Sequence, residues 1–207
     1  ALFRQGKYKE AAKSFEEATK FDENDPWAWK GEGDSLSWTG DLKEAEKCYS
    51  KAIQLNPTQI SNWSSRGWVR RNLEKDKEAL DDFNHVLSLD PKNAYAFMMK
   101  GLALRKLNRQ EESNTCLREA LRLDELDRES KSLTPYDRGL AFVNLGEYDK
   151  AQSNFDEAVR QDPKSAWTWF GKGFAFHTAT RIDDAVACYN RALELNPDFD
   201  LAKKCRN

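Results

Sequence analysis

The sequence lacks a long apolar stretch and lacks an excess of charge of either sign. No run of about 18 apolar residues occurs, so the sequence predicts no membrane-spanning helix. The 33 Lys and Arg residues nearly balance the 35 Asp and Glu residues, and the net charge is −2. Nucleic-acid-binding domains usually carry a basic excess. The first ten residues also lack the apolar core of a secretory signal. We therefore expect neither a membrane nor a nucleic acid among the partners.

Cysteine is scarce as well. The four cysteines are far apart and form no Cys-x-x-Cys motif: Cys48, Cys116, Cys188 and Cys205. Disulfide frameworks and zinc sites normally show close, paired spacings. We expect these residues to be small packing side chains in a reducing, cytoplasmic environment rather than disulfides or metal ligands.

Only two histidines are present, and no motif of catalysis accompanies them. His85 follows Asp81 and Asp82, but three such residues on an exposed helical face are usually solvated rather than bound to metal. His177 lies among aromatic residues and is better suited to contact a partner than to catalyse. The sequence has no Gly-rich phosphate loop, nucleophile elbow or His-Glu-x-x-His motif. We expect no enzyme activity, no cofactor and no metal.

What the sequence does contain is an internal repeat. Four of the six prolines close similar phrases: Leu-Asn-Pro57, Leu-Asp-Pro91, Gln-Asp-Pro163 and Leu-Asn-Pro197. The intervals between them are 34, 72 and 34 residues, so the middle interval equals two repeats with four extra residues. The same period relates the aromatic residues Trp29, Trp63, Phe97 and Trp169. It also relates the glycines Gly33, Gly67, Gly101, Gly139 and Gly173. Two sets of alanines follow it too: Ala45, Ala79, Ala151 and Ala185, and Ala52, Ala120, Ala158 and Ala192.

These residue types are the ones that a pair of closely packed antiparallel helices requires. A glycine or an alanine lets two backbones approach, and a large ring from the neighbouring helix fills the space beside it. Gly6, Gly40 and Gly146 stand where the first helix of a pair should end, because glycine is the usual residue after a helix C-terminus. The Asn-Pro or Asp-Pro phrase then ends the second helix, since proline does not continue a helix. The pattern predicts an all-α protein.

The period, the aromatic residue four positions before a glycine, and the second helix with its two alanines and its final proline resemble the tetratricopeptide repeat. Four units carry a basic residue immediately before the glycine: Arg66, Lys100, Arg138 and Lys172. That version resembles the tetratricopeptide arrays of methanogenic archaea. The resemblance implies a right-handed superhelical solenoid of antiparallel helix pairs. It places a partial unit (the second helix of a truncated repeat) at 1–25, units at 26–59, 60–93, 94–131, 132–165 and 166–199, and the start of a further or capping helix at 200–207. The first residues read as the middle of a helical array, so we expect a fragment of a longer protein.

The four extra residues lie before Pro135, which takes the place of the aromatic residue of the other units. Proline is tolerated in the first turn of a helix. Thr134 can serve as the N-cap and Asp137 can complete a capping box. We therefore predict that this helix begins late, near residue 135, and that the superhelical curvature changes there. The alternative is a longer loop without consequence.

In this family the first helices line a concave groove in which partner peptides lie, and the groove is the expected functional site. By position in the repeat, the expected groove residues are Lys30, Asp34, Trp38, Ser64, Trp68, Arg71, Asn72, Tyr95, Met98, Leu102, Arg105, Tyr136, Leu140, Trp167, Phe170, Phe174 and His177. Exposed aromatic and Met side chains supply much of the energy of binding surfaces. We expect a non-enzymatic scaffold that recognises an amphipathic helix or an extended apolar segment, with acidic residues near Arg71 and Arg105.

The groove sequence also bears on the carboxylate clamp, by which chaperone-binding relatives hold an acidic C-terminus. Lys30 matches the clamp, but Asp34 stands where the clamp requires Asn and would repel a carboxylate. Ser64 and Tyr95 also depart from the clamp residues. We therefore reject the clamp. Two alternatives remain open, self-association into a homo-oligomer and service as a regulatory or targeting arm of a larger protein.

Overall fold

The computed structural model describes residues 2–127 and 132–206, and it is all-α, with no strand in those residues. A 3₁₀ turn at Phe3–Gln5 precedes the helices α1 (Tyr8–Phe21), α2 (Pro26–Thr39), α3 (Leu42–Leu55), α4 (Ile60–Asn72), α5 (Asp76–Leu89), α6 (Ala94–Lys106), α7 (Gln110–Leu126), α8 (Pro135–Leu145), α9 (Tyr148–Gln161), α10 (Ala166–Thr178), α11 (Ile182–Leu195) and α12 (Asp200–Arg206). The predicted fold class, a solenoid of antiparallel helix pairs, is confirmed.

The chain divides into two compact units, residues 1–113 and 114–207, and α7 begins in the first and continues into the second. In the first unit, each helix from α1 to α6 packs on the next, and the alternate helices α2, α4 and α6 also touch. In the second unit, α8 to α12 pack in the same sequential manner, and α8 touches α10. Alternate helices that touch are the first helices of successive pairs, so they form one layer within each unit.

The repeat glycines lie where the pattern predicted close approach. An ideal Cβ at Gly67 would lie 2.8 Å from Cζ of Phe83, and one at Gly173 would lie 2.7 Å from Cε1 of Tyr189. Both distances are too short for real side-chain contacts, so only glycine fits beside these rings. The eight repeat alanines are all buried, at 4% exposure or less. The small residues therefore set the distance between the two helices of a pair.

The turn between the two helices of a pair has the same left-handed backbone whether or not it carries glycine. Gly40 and Gly146 have φ of 90° and 78°. At the equivalent positions of the other units, Glu74, Asn108 and Thr180 have φ near 60°. Because side chains with a Cβ are strained in this region, the tertiary packing imposes the turn at these three positions.

The late start of the fourth unit is also confirmed. Helix α8 begins at Pro135, and the hydroxyl of Thr134 accepts from the Asp137 amide at 3.1 Å while the Asp137 carboxylate accepts from the Thr134 amide at 3.0 Å. This arrangement is the predicted capping box. The buried carboxylate of Asp124 accepts a hydrogen bond of 2.7 Å from the Leu133 amide and so ties the incoming segment to α7. Residues 128–131 of the insertion lie outside the described residues, and the change of curvature stays a prediction.

An ion network holds α3, α4 and α5 together in the first unit. The Asp82 carboxylate is 1% exposed and accepts from Arg66 at 2.7 Å and from Arg70 at 2.9 Å. The Glu46 carboxylate joins Arg70 at 2.9 Å to Lys75 at 2.6 Å. Burial raises the pKa of Glu46, but the hydrogen bonds from Lys75 and Arg70 outweigh that effect and leave it below its usual value.

Three of the four cysteines, Cys48, Cys116 and Cys188, are buried as expected of packing residues, and Cys205 is half-buried. Burial raises the pKa of Cys48 to about 12, so its thiol stays protonated and unreactive near neutral pH. Within the described chain, no helix combines the length and the apolar character needed to cross a bilayer.

Candidate protein-binding surfaces

The first unit has an open aromatic pocket on the layer formed by α2, α4 and α6. Its volume is about 270 Å³, and its lining residues are Trp38, Tyr49, Ser64, Ser65, Trp68 and Tyr95. Trp38 is 65% exposed and Trp68 is 37% exposed. Large exposed rings that meet in a concavity are typical of interaction surfaces. We call this feature the aromatic pocket.

A polar cluster beside the aromatic pocket fixes its wall. The Tyr49 hydroxyl donates to Oδ1 of Asp34 at 2.8 Å, and Lys30 holds Oδ2 of the same carboxylate at 2.6 Å. Burial raises the pKa of Tyr49, and the Asp34 charge adds to the shift, so the phenol remains neutral. Lys30 is engaged within the chain, and Asp34 places a second charge beside it. The cluster is therefore electrically neutral and orients Tyr49 rather than presenting a free cation.

Four of the predicted groove residues of the first unit line the aromatic pocket: Trp38, Ser64, Trp68 and Tyr95. Sequence reasoning missed Tyr49 and Ser65. Tyr49 belongs to the second helix α3 and is only 2% exposed, yet its ring lines the pocket. Gly33 is the sequence signal that could have predicted this contact. A glycine on the first helix of a pair leaves room for a ring from the second helix, here the ring of Tyr49.

The prediction was wrong for Met98 and Leu102. Met98 is 1% exposed and Leu102 is 7% exposed, so both are core residues that a partner cannot contact. The reason is visible in α6, whose sequence is apolar on nearly every side and which buries eight of its 13 residues. A helix that is apolar all round is buried rather than half exposed, and this pattern outweighs position in the repeat.

Basic residues lie toward the C-terminal ends of α4 and α6. Arg71 is half-buried, and Asn72 and Arg105 are exposed. Burial raises the pKa of the nearby Asp76 carboxyl, although the charges of Arg71 and Lys106 act in the opposite direction. Part of the predicted basic stretch is therefore balanced by a carboxylate of α5.

In the second unit, the predicted residues form an aromatic face on α8 and α10. Trp167 is 55% exposed, Phe174 is 37% exposed and His177 is exposed, whereas Tyr136 and Leu140 are half-buried. Phe170 is half-buried because its ring packs 5.1 Å from that of Phe199, which precedes α12.

The histidines do not form a metal site. The Asp82 carboxylate, which stands near His85 in sequence, is buried in the ion network rather than exposed. The His85 ring packs 3.9 Å from the Trp63 ring, so the expectation of a solvated residue was wrong there. In the described part of the chain, no three His, Cys, Asp or Glu side chains converge as metal ligands.

Family profiles of the tetratricopeptide repeat match residues 1–25, 26–59, 60–93, 94–125 and 136–199. The chain belongs to the tetratricopeptide-repeat family. Among curated tetratricopeptide relatives, the peroxisomal targeting signal receptor of Saccharomyces cerevisiae is 32% identical over 65 residues, 31% of this chain and 11% of that protein. The small glutamine-rich tetratricopeptide repeat-containing protein 2 of Mycosarcoma maydis is 30% identical over 67 residues, 32% of this chain and 19% of that protein. The matches span a small part of both relatives.

Solved tetratricopeptide structures resemble the whole chain. YrrB, a tetratricopeptide protein with an unusual peptide-binding site, is 27% identical, with a TM-score of 0.51 over 95% of this chain and 99% of that one. A tetratricopeptide protein of Parabacteroides merdae has a TM-score of 0.76 at 16% identity, over 99% of this chain and 78% of that chain. The second likeness concerns the fold alone. Tetratricopeptide arrays serve as interaction scaffolds, and this chain has the architecture of one.

Proposed function

We propose that the protein is a non-enzymatic scaffold that holds a peptide or an amphipathic helix of a partner protein, and that the aromatic pocket is its primary anchor site. The observation that carries this proposal is that rings from α2, α4 and α6 meet in one concavity, where Trp38 and Trp68 are exposed and Tyr95 is half-buried. Three successive first helices contribute, so an extended ligand would contact each repeat in turn. An apolar or aromatic side chain of the ligand fills the pocket, and such anchors dominate binding energies.

The charges around the pocket support this ligand over an acidic C-terminus. Lys30 is held by Asp34 at 2.6 Å, so a terminal carboxylate entering there would have to displace the Asp34 carboxylate or lie beside it. We propose that the carboxylate clamp is absent from this groove. Acidic residues of the ligand would instead lie near Arg71, which is about one turn after Trp68 on α4, and near Arg105 on α6. The partner would be a cytoplasmic protein.

The second unit contributes a weaker contact face in this proposal. Trp167, Phe174 and His177 are exposed, and Phe170, Tyr136 and Leu140 support them from half-buried positions. YrrB, whose fold spans nearly the whole chain, has a peptide-binding site.

The test is a selection of peptides from a displayed library on the wild-type protein, followed by affinity measurement on variants. Trp68→Ala removes an exposed ring of the pocket and should weaken the selected peptide tenfold or more, since buried aromatic anchors are hot spots. Tyr148→Ala is the matched control, because Tyr148 is 38% exposed on the second helix α9 and does not line the pocket. Equal affinity for wild type and Trp68→Ala, with helicity retained, would contradict the proposal.

Self-association is the second outcome of that test. Light scattering of the wild type between low and high protein concentration separates the two cases. A concentration-independent monomer agrees with a foreign partner. A dimer that Trp68→Ala dissociates would mean that another copy of this chain fills the pocket.

A further inference from the structure

The repeat tryptophans Trp29, Trp63 and Trp169 occupy equivalent positions and are held in the same way. Each indole donates its Nε1–H to a backbone oxygen six residues earlier: Glu23 at 2.8 Å, Pro57 at 2.8 Å and Pro163 at 3.0 Å. The shared hydrogen bond fixes the three rings in the same orientation relative to their helices. Their surroundings can therefore be compared directly.

At two of these rings, a positively charged side chain of the same protein lies over the ring. The Arg66 guanidinium lies 4.9 Å from the centre of the Trp63 ring, and the Lys172 ammonium lies 5.6 Å from the centre of the Trp169 ring. Both cations come from the position immediately before the repeat glycine. Lys172 is also paired at 2.6 Å with Asp156, which stands sixteen residues earlier on the preceding second helix. The arrangement is a cation held between a ring and a carboxylate.

At Trp29 the ring and the carboxylate are both present, but the residue at the position of the cation is acidic. The residue before Gly33 is Glu32, and the residue sixteen positions earlier is Glu16. Burial raises the pKa of Glu32, and the Glu16 charge adds to the shift. In the described part of the chain, the neighbours that bond Glu32 are neutral, and Thr19 donates to it at 3.1 Å. Lys20, the nearest candidate, is held by Glu16 at 2.5 Å.

An open recess adjoins the Trp29 ring. Its volume is about 670 Å³, and its acidic lining consists of Glu16, Glu23, Glu32 and Glu44. Two lysines also line it: Lys47, which is paired with Glu44 at 2.8 Å, and Lys51. A neighbouring depression is lined by Trp29, Glu32 and the paired Lys20, and by Phe21, whose side chain is 95% exposed. We call these two depressions together the Trp29 recess.

The Trp29 recess is a separate surface from the aromatic pocket. Glu32 lies two residues from both Lys30 and Asp34, and two residues turn an α-helix by roughly 200°. Glu32 therefore projects from the side of α2 opposite to the groove side chains. The two surfaces share no lining residue.

We propose that the Trp29 recess binds a basic side chain, arginine or lysine, of a partner protein. The partner's cation takes the place that Arg66 and Lys172 fill from within the chain at Trp63 and Trp169. It lies over the Trp29 ring, where cation–π attraction favours it, and it pairs with Glu32, whose hydrogen-bond donor Thr19 is neutral. An apolar residue next to that cation in the partner covers Phe21. A metal ion is disfavoured because the described side chains do not converge as three ligands.

The probe is the peptide acetyl-Leu-Arg-Leu-amide, compared with the same peptide in which citrulline replaces arginine. Citrulline keeps the shape of arginine and loses its charge. The readout is the indole N–H resonance of Trp29 in NMR titrations, assigned with the variant Trp29→Phe. We expect the arginine peptide to shift this resonance and the citrulline peptide to bind at least fivefold more weakly. Raising the salt concentration should weaken the arginine peptide, because exposed charge pairs are screened.

The deciding variant is Glu32→Lys, which installs the residue type found at this position in the other units. It should fold, gain thermal stability because the repulsion between Glu32 and Glu16 is removed, and lose the peptide-induced shift because its own ammonium fills the site. Glu17→Lys makes the same change of charge on α1 at a residue that does not line the recess, and it should keep the shift.

Three results would overturn the proposal: equal binding of the citrulline peptide, an unmoved Trp29 resonance, or a shift that survives Glu32→Lys. A dimer that Glu32→Lys dissociates in sedimentation would overturn the choice of a foreign partner, since another copy would then supply the cation. The groove variant Trp68→Ala should leave the Trp29 shift unchanged. Failure here and failure of the aromatic pocket are therefore distinguishable.

Discussion

At the scale of single residues, the position immediately before the repeat glycine carries a positive charge in some units and a negative charge in another. The position before the repeat glycine carries Arg66, Arg138 and Lys172 in ion pairs with neighbouring carboxylates. Glu32 at the same position meets a second carboxylate instead. A scaffold that tolerates both charges at one position is stabilised by its packing, and the charge is available for recognition.

Glu32→Gln should raise the melting temperature at pH 7. Burial and the Glu16 charge raise the pKa of Glu32, so the folded state binds the proton more tightly than the unfolded state does. The charged carboxylate therefore opposes folding at neutral pH, and this penalty disappears as the pH falls through the raised pKa. Thermal melts of both proteins from pH 7 to pH 4 should converge at the acidic end. A gap that widens on acidification would contradict the assignment.

At the scale of elements, the helix hairpins are closed by left-handed turns that glycine, asparagine, glutamate and threonine all occupy. The sequence pattern predicted these turns at Gly6, Gly40 and Gly146 only. Glu74 and Thr180 carry no local signal for a positive φ, so the neighbouring helix packing has to specify the turn there. Threonine is the least suited of these residues, because its branched Cβ crowds the backbone in this region.

Thr180→Gly should stabilise the protein by about 1 kcal/mol, because it removes the strain of a side chain at positive φ. The greater freedom of glycine in the unfolded chain offsets part of this gain. Urea unfolding at constant m-value is the measurement. Gly146→Thr at the equivalent turn should have the opposite effect, and a gain in stability from that exchange would show that the turn is not the source of strain.

Sequence reasoning worked at this scale wherever a residue type had one physical role. The repeat glycines predicted where two helices approach closely, and Thr134, Pro135 and Asp137 predicted the start of α8. It failed where the surroundings decide, as at Met98 and Leu102, which occupy groove positions but are buried in α6. The concavity that joins Trp38 to Trp68 and Tyr95 depends on how α2, α4 and α6 pack, and no local pattern encodes it.

At the scale of the whole molecule, repeat proteins are stabilised by contacts between adjacent repeats. A destabilising substitution is therefore expected to affect mainly the repeats around it. The ion network around Asp82 joins α3, α4 and α5. A buried carboxylate that neutralises two guanidinium groups cannot be lost without leaving charge unpaired.

Asp82→Asn should therefore cost roughly 3 kcal/mol or more of local stability, the usual effect of breaking a buried ion pair. Hydrogen exchange should accelerate most in α3, α4 and α5, and least in α9, α10 and α11. Asp81→Asn is the control, since Asp81 is exposed on the same helix. Uniform acceleration through the whole chain would mean that the molecule opens as one cooperative body.

The residue before each repeat glycine also gives the modules an order. Arg66 donates to Ser50 of the preceding second helix at 3.0 Å, and Lys172 pairs with Asp156 of the preceding second helix at 2.6 Å. These two modules are therefore each matched to the second helix of the preceding module by a specific polar contact. Exchange of two modules in an engineered or recombined gene would keep every helix yet mismatch these connectors. Recombination that preserves function must therefore keep the junction between two repeats intact. Its crossover points should fall within repeats rather than between them.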